Sequence, residues 1–464
     1  MKNVFYLILI LCPFFSYTQK NCDEQFFRQY SWIHVGNPAI SDTFGFYVNI
    51  KYNQQGDLHV AYEDGAHSGR VTVMKFDGIN WIPIGLPGFS EGMAEDVSLD
   101  FNPIDGSPYV AFRDVDNSEK STVMRFNGAD WETVGIRGFS AGNTEWTSLA
   151  FSELGEPYVA YMDYATTYNK ATVMRFDGTN WVYVGIPGFS SGQAAYTSLA
   201  FNPSDHLPYL AFFDAAHSDK ASVMRFSGTF WEYYGNPGFS RGVASYTRLA
   251  FSNAGQAYVS FMDDTYMKAT VKTFNGSNWQ TVGNESFSPE APDFLNLAVS
   301  PSGIPYVIFR DHDTYPIGKA SVMKFNGNNW EYVGIEGFSD YMAMETCITF
   351  MPSGQPVVAF WHDYPFDKIT AMKYDSIFVG INEHQTSQFS LYPNPVATKL
   401  TIDLKNLPGI IDCIEITDIR GTKMTEVHSN ERKIIFDIEN YPTGIYFVKL
   451  KMDDSFYIGK FCKN

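Results

Sequence analysis

Six tryptophans, Trp81, Trp131, Trp181, Trp231, Trp279 and Trp330, follow one another at intervals of 50, 50, 50, 48 and 51 residues. A period that regular means a chain built from copies of one unit, each covering the apolar surface its neighbour cannot cover alone. The copy that begins at Thr197 shows what the unit is. TSLAF, YLAFFD, ASVMRF and WEYYG are short runs rich in β-branched and aromatic residues, each closed by a cluster of Gly, Pro, Asn, Asp or Ser. Four such runs with short turns spell an antiparallel meander, and no interval carries the periodicity of a helix. Four-stranded units repeated at this period are the blades of a β-propeller.

The number of blades follows from the two ends of the repeat. Fifteen residues after each Trp stands the residue just before the next copy's first strand: Asp96, Trp146, Tyr196, Tyr246, Phe294 and Glu345. Trp32 stands at the same interval before Tyr47, so it opens a fourth strand that has no first three beside it in sequence. The last copy, TCITF, VVAFWHD and ITAMKYD, stops before its Trp. Six complete copies and one assembled from both ends predict an all-β, seven-bladed propeller over residues 32–377, closed by its N-terminal strand so that no sheet edge is left open.

What flanks the ring speaks of export. Residues 1–19 join Lys2, an apolar core from Val4 to Phe15 and the small-residue stretch Ser16-Tyr17-Thr18, the pattern of a secretory signal peptide; 20–31 is a lead-in. No other run is long and apolar enough to span a membrane. A formal net charge of −18 disfavours nucleic acid as a partner. The four cysteines after the signal, Cys22, Cys347, Cys413 and Cys462, lie far apart without metal-ligand spacing. They predict no metal site and no disulfide framework, one bridge of open pairing remaining compatible with them. No cofactor signature is present.

Four features invite a functional reading. Gly-x-Ser-x-Gly, the pattern of a hydrolase nucleophile elbow, occurs around Ser90, Ser140, Ser190 and Ser240. An elbow needs a strand, a sharp turn and a helix, with a His and an acid converging on one Ser; here the pattern fills successive loops between copies and no helix follows. The glycines are therefore read as turn formers and the intervening Phe as a plug between blades. An Asp closes each second strand, at Asp64, Asp114, Asp163, Asp214, Asp263, Asp311 and Asp363, and a cation follows within eight residues, Arg70 and Lys120 in the first two copies. Acid/base catalysis needs two carboxyls of different pKa, so seven equivalent acids are expected to be turn-bracing ion pairs. The turn before each Trp, as in Asp177-Gly178-Thr179-Asn180, lacks the leading Ser and the residue order of a sialidase Asp box and is read as a hairpin turn.

The fourth feature is where the copies disagree. The position before the first strand holds Trp146, Tyr196, Tyr246 and Phe294 in four consecutive copies, flanked by Asp96, Glu145, Asp293 and Glu345. Strand order brings this position to the rim of the central channel, where aromatic faces beside carboxylate acceptors make a sugar-binding platform. Arg113, Arg310 and His362, which replace Met or Phe of sibling copies, join the candidate ligand-binding set. No catalytic residue is predicted.

After a linker at 378–388 the text changes. Strands of period-two alternation with Asn-Pro, Arg-Gly and Thr-Gly turns predict a small β-sandwich over 389–464. Tyr392-Pro393-Asn394-Pro395 after Leu391, Asp418-Ile419-Arg420-Gly421, Gly444-Ile445-Tyr446-Phe447-Val448, and the basic Lys460 and Lys463 near the end carry its identity. As a set they strongly resemble the C-terminal sorting domain of proteins exported by the type IX secretion system of Bacteroidetes. The resemblance implies translocation across the outer membrane by that machinery and removal of this domain, leaving the protein secreted or on the cell surface. It does not reach the propeller, whose expected role is non-catalytic binding or adhesion to a glycan or protein ligand; the alternative is a polysaccharide hydrolase or lyase with its site at the channel mouth.

Overall fold

Each copy's four β-rich runs become the four strands of one antiparallel sheet. The computed structural model describes residues 28–312, 318–363, 366–378, 389–404, 411–418, 423–429, 431–452 and 455–464; the signal segment 1–19 and the linker beyond 378 lie outside them. Blade 1 runs through Gly45–Tyr52, Leu58–Asp64, Arg70–Phe76 and Trp81–Pro83, and the first strands of blades 2 to 6 are Ala94–Phe101, Thr144–Phe151, Ala194–Phe201, Ala244–Phe251 and Pro292–Val299. Blade 7 takes Ala343–Phe350, Pro356–His362 and Lys368–Phe378 from one end of the unit and Arg28–His34 from the other, in the order fourth strand beside third. Bonds from the amides of Val35 and Ile40 to the carbonyls of Ala371 and Ile369, both 2.9 Å, continue that seam. Each first strand packs on the next, and the seventh packs on the first, so the seven sheets close into a ring.

The repeated residues make the joints between blades. Every Trp of the series donates its indole N–H to a carbonyl of the preceding blade, from Trp81 to Val35 at 2.7 Å through Trp231 to Val184 at 2.8 Å, and Trp32 does the same to Val333 at 2.7 Å. Onto six of the seven indole faces lies the Phe of the preceding inter-blade loop. Phe89 stacks on Trp131 with centroids 4.1 Å apart, Phe189 on Trp231 at 4.4 Å and Phe338 on Trp32 at 4.3 Å. At the joint between blades 7 and 1 the loop offers Ile40 instead, which shares a buried cluster with Trp81. The serine of Gly-x-Ser-x-Gly is buried in the same loop. Ser190 Oγ accepts from the Ala171 amide at 2.9 Å and donates to the Gly192 carbonyl at 2.7 Å, and Ser90, Ser140 and Ser240 repeat both bonds. These hydroxyls tie loop to third strand.

Two expectations about the second-strand acids are corrected. In blade 7 the register pairs His362 with Lys368, as Asp163 pairs with Lys170, so His362 and not Asp363 ends the second strand. The strand keeps its seven-residue length from Pro356, which leaves Asp363 in the following loop. Nor, among the described residues, does an ion pair join Asp64, Asp114, Asp163, Asp214 or Asp263 to the cation that follows. Asp64 accepts from the Ala66 amide at 3.0 Å and from Thr72 Oγ1 at 2.6 Å, with His67 Nδ1 at 2.8 Å; Asp163 accepts from Ala165 and Thr172 in the same way. A carboxylate facing the loop amides satisfies buried donors at once, while the long cations reach solvent.

The second unit contains Ser376–Asn464. One of its sheets orders Ser390–Tyr392, Lys399–Asp403 and Lys433–Asp437; the other orders Lys423–Val427, Ile411–Asp418, Gly444–Met452 and Ser455–Lys463. Leu400, Ile402, Ile414, Val448 and Phe461 fill the space between, as alternation in both sheets requires. Within the sorting-signal residues, Asn394 bridges to the final strand by accepting from the Cys462 amide at 2.9 Å and donating to the Lys460 carbonyl at 3.1 Å. Tyr392 and Asn394 both precede cis prolines, Pro393 and Pro395. Gly444 pairs with Lys463, and Gly421 lies outside the described residues. Cys347 and Cys462 are free, and Cys413 is disulfide-bonded.

Candidate functional site

The seven first strands enclose a channel of about 870 Å³, within the size range of small-ligand pockets. Each of these strands carries a β-bulge near its start, where the register slips between, for example, Glu145 and Ser148. The bulge puts one residue per blade into the left-handed region. Tyr47, Asp96, Trp146, Tyr196, Tyr246, Phe294 and Glu345 all have φ between 50° and 58°. Bulky side chains seldom adopt that conformation, because Cβ crowds the following carbonyl. Its effect is to turn the side chain of the variable position toward the channel mouth.

These seven side chains divide the mouth into two arcs. On blades 3 to 6 the rings follow edge on edge: Trp146 to Tyr196 at 4.2 Å between centroids, Tyr196 to Tyr246 at 5.5 Å, Tyr246 to Phe294 at 6.1 Å, at angles of 43° to 54°. All four are partly exposed. On blades 7, 1 and 2 stand Glu345, Tyr47 and Asp96. Asp96 accepts from the Trp146 amide at 2.6 Å and so braces the next blade; Glu345 lies beside the Tyr47 amide. Burial pushes the Asp96 carboxyl up to about 6, opposed by the Trp146 amide and Arg113 and assisted by Glu145 and Glu95. Burial likewise pushes Glu345 up to about 7, against the pull of Arg248, with Asp96 adding to the rise. Glu63, on the second strand of blade 1, is raised to about 7 by burial and by Glu95 and Glu345.

One turn of the pleat below lies a ring of short polar side chains. Ser98, Ser148 and Ser198 each accept the backbone N–H of the next blade's Leu149, Leu199 and Leu249 at 3.0 Å. Blade 1 has Asn49 at this position, which donates to the Val97 carbonyl at 3.2 Å instead, and blade 5 has Arg248. Its guanidinium reaches the Thr247 carbonyl at 3.1 Å and lies in the field of Glu345 and Asp96.

The structure gathers Trp146, Tyr196, Tyr246, Phe294, Asp96, Glu145, Glu345 and Arg113 along the channel wall. Arg113 is spoken for, its two terminal nitrogens paired with Glu95 and Glu119. Arg310 does not line the channel; it pairs with Asp293 and sits over the Phe294 ring, 5.3 Å from its centroid, so it backs the aromatic arc. His362 lies apart, 2% exposed among Tyr341, Phe360 and Phe366, with neither ring nitrogen hydrogen-bonded among the described residues. Burial holds it neutral, its pKa lowered to about 4. Sequence reasoning left Arg248, Glu63 and Tyr47 out of the candidate set. The signal for the first two was there: a lone cation in a column of Ser, Asn and Cys, and a lone Glu in a column shared with Met, Phe, Trp and Arg. Among the described residues no three His, Cys, Asp or Glu side chains are grouped to hold a metal ion.

Residues 390–464 match the family model described as a secretion system C-terminal sorting domain. The chain therefore carries the sorting domain of proteins exported through type IX secretion to the cell surface or the extracellular space. Among the described residues no helix is long and apolar enough to cross a membrane. No curated protein sequence matches the chain. Solved structures similar to it include a protein of unknown function from Dyadobacter fermentans, at 10% identity and TM-score 0.44, covering 76% of this chain and 100% of that one. Another is the six-bladed fucose-recognising lectin of Aleuria aurantia, at 12% identity and TM-score 0.44, covering 62% of this chain and 96% of that one. AofleA from Arthrobotrys oligospora is similar at 12% identity and TM-score 0.41, covering 62% of this chain and 87% of that one.

Proposed function

We propose that the exported propeller is a non-catalytic carbohydrate-binding protein whose site is the channel mouth. The observation that carries this reading is the arc of Trp146, Tyr196, Tyr246 and Phe294, partly exposed rings in contact around half of a wide, water-accessible opening. Sugar rings present apolar C–H faces and a rim of hydroxyls, and they bind where an aromatic face meets hydrogen-bond acceptors. Glu345 and Asp96, on blades 7 and 2, and Glu145, beside Trp146 on blade 3, supply acceptors in the same wall. The reading of a polysaccharide hydrolase or lyase draws on the raised carboxyls of Glu345 and Asp96. Asp96 already holds a backbone amide of the next blade, a bracing duty that favours the binding role.

The test is a glycan array with the secreted chain, followed by titration of the best ligand into Trp146→Gly and Tyr196→Gly. Glycine suits the left-handed backbone at both positions, so the fold is kept while the rings are removed. Loss of binding at an unchanged melting temperature is expected. Release of reducing ends from the bound glycan, abolished in Glu345→Gln, would establish the hydrolase instead, and binding that survives both substitutions would move the site away from the mouth.

A further inference from the structure

Arg248 stands in a column of short side chains, Asn49, Ser98, Ser148, Ser198, Asn296 and Cys347, on the first strands of the other blades. In blades 2, 3 and 4 the equivalent serine accepts the N–H of the next blade's leucine. Arginine has donors only and cannot accept from Leu297, so blade 5 forgoes the staple. What stands there instead is a guanidinium within the channel wall. The other cations in that wall are neutralised, Lys51 by Asp100 at 2.9 Å and Arg113 by Glu95 and Glu119. Arg248 has no carboxylate within ion-pair distance among the described residues, and its one protein hydrogen bond is to the carbonyl of its neighbour Thr247. Its remaining donors form a planar fork, the shape that a carboxylate fills with two parallel bonds.

We infer that the sugar recognised at the mouth is acidic, a uronate whose carboxylate pairs with Arg248 while its ring stacks on the Tyr196 and Tyr246 side of the arc. The inference rests on the proposed carbohydrate-binding reading and narrows it. The groups facing Arg248 are Tyr246 on its own strand, Tyr196 on blade 4, Glu345 on blade 7 and Asp96 on blade 2. Glu345 in turn faces Asp96 and the Tyr47 amide, and Asp96 faces Arg113, Glu95 and Glu145. With Glu345 raised to about 7 and Asp96 to about 6, both acids are mostly neutral at pH 5.5 and ionised at pH 8. An incoming carboxylate meets less repulsion at the lower pH, and Arg248 is then least compensated. Uronate binding therefore strengthens as the pH falls through the two acids and weakens as it rises.

The experiment is titration calorimetry of the secreted chain with oligomers of galacturonate, glucuronate and mannuronate, each against its carboxyl-reduced neutral counterpart, at pH 5.5 and 8. The expected result is a preference of about tenfold or more for one uronate at pH 5.5, the worth of one charge-assisted bidentate pair, and a smaller preference at pH 8. Arg248→Ser, which restores the serine of the sibling blades, should abolish the preference without lowering the melting temperature; Arg248→Lys should retain part of it, because charge remains and the fork is lost. A dextran sulfate arm separates the sources of negative charge: binding that prefers sulfate to every uronate overturns the carboxylate assignment. A preference unchanged in both Arg248 variants, or tighter binding of the neutral oligomers, overturns the inference and leaves the carbohydrate site standing. Failure of every acidic and neutral oligomer to bind removes both.

Discussion

Replacing Trp32 by Ala tests whether the ring is held shut by the same joint that holds its other blades. Trp32 is 7% exposed, lies on Phe338 at 4.3 Å with the planes 15° apart, and donates to the Val333 carbonyl at 2.7 Å. Truncation of such a residue removes its buried area, one stack and one hydrogen bond, and costs about 3–5 kcal/mol. The propeller unit of roughly 350 residues unfolds with an entropy of about 0.7 kcal/mol per kelvin, so the melting temperature should fall by about 4–7 °C. Trp231→Ala is the control, since it loses a stack on Phe189 at 4.4 Å and a bond to Val184 at 2.8 Å within a contiguous blade. Both variants should lose similar stability. Only Trp32→Ala should free a chain end, and amide exchange across 28–41, where Val35 and Ile40 bond to the third strand of blade 7, should rise to the level of local opening. A melting temperature within about 1 °C of wild type, or unchanged exchange in that segment, would refute the reasoning.

Ser190→Ala removes the acceptor for Ala171 and the donor to Gly192, so the urea midpoint should fall by the equivalent of about 1–3 kcal/mol while ligand binding persists. Loss of function in a folded Ser190→Ala protein would revive the nucleophile reading of Gly-x-Ser-x-Gly. Deleting 390–464 should leave a folded propeller in the periplasm, read by fractionation and immunoblotting, because address and ring are separate compact units. Normal surface delivery of the truncated chain would overturn the export assignment.

The parts of the fold that were legible in the sequence are those fixed by local chemistry. A Trp that opens a short strand and a Phe in the loop before the next blade recur because six of the seven joints are built from that pair, and their spacing yields the blade, the ring and the role of Ser90 and its siblings. The register of blade 7 was not legible. VVAFWHD places an Asp one residue after the strand ends, and only the pairing of His362 with Lys368 shows that His occupies the acid's place. The bulge was hidden for a related reason, since a strand written in period two gives no sign of the extra residue that turns Tyr196 or Glu345 into the left-handed region. Convergence across the ring is not local either. Arg248 looked like one odd letter in TRLAF until the serine staples beside it showed what it replaces.

The seven left-handed residues also sort the mouth into frame and site. This chain uses glycine freely at positive φ in its turns, Gly78, Gly128 and Gly178 among them, yet none of the seven ring positions is glycine. Glycine there would relieve strain of order 1 kcal/mol per blade, so each side chain must return something glycine lacks. Asp96 returns it within the protein, through the bond it takes from the next blade. The four aromatics return only part of it, because they touch one another and still leave face open to the channel. Arg248 returns least: it sacrifices a staple and gains one contact to a neighbouring carbonyl. Groups that cost the fold stability and are incompletely satisfied by it are the ones to expect in contact with a ligand, and by that measure the aromatic arc and Arg248 are the first positions to test, with Glu345 and Asp96 as the acceptors beside them.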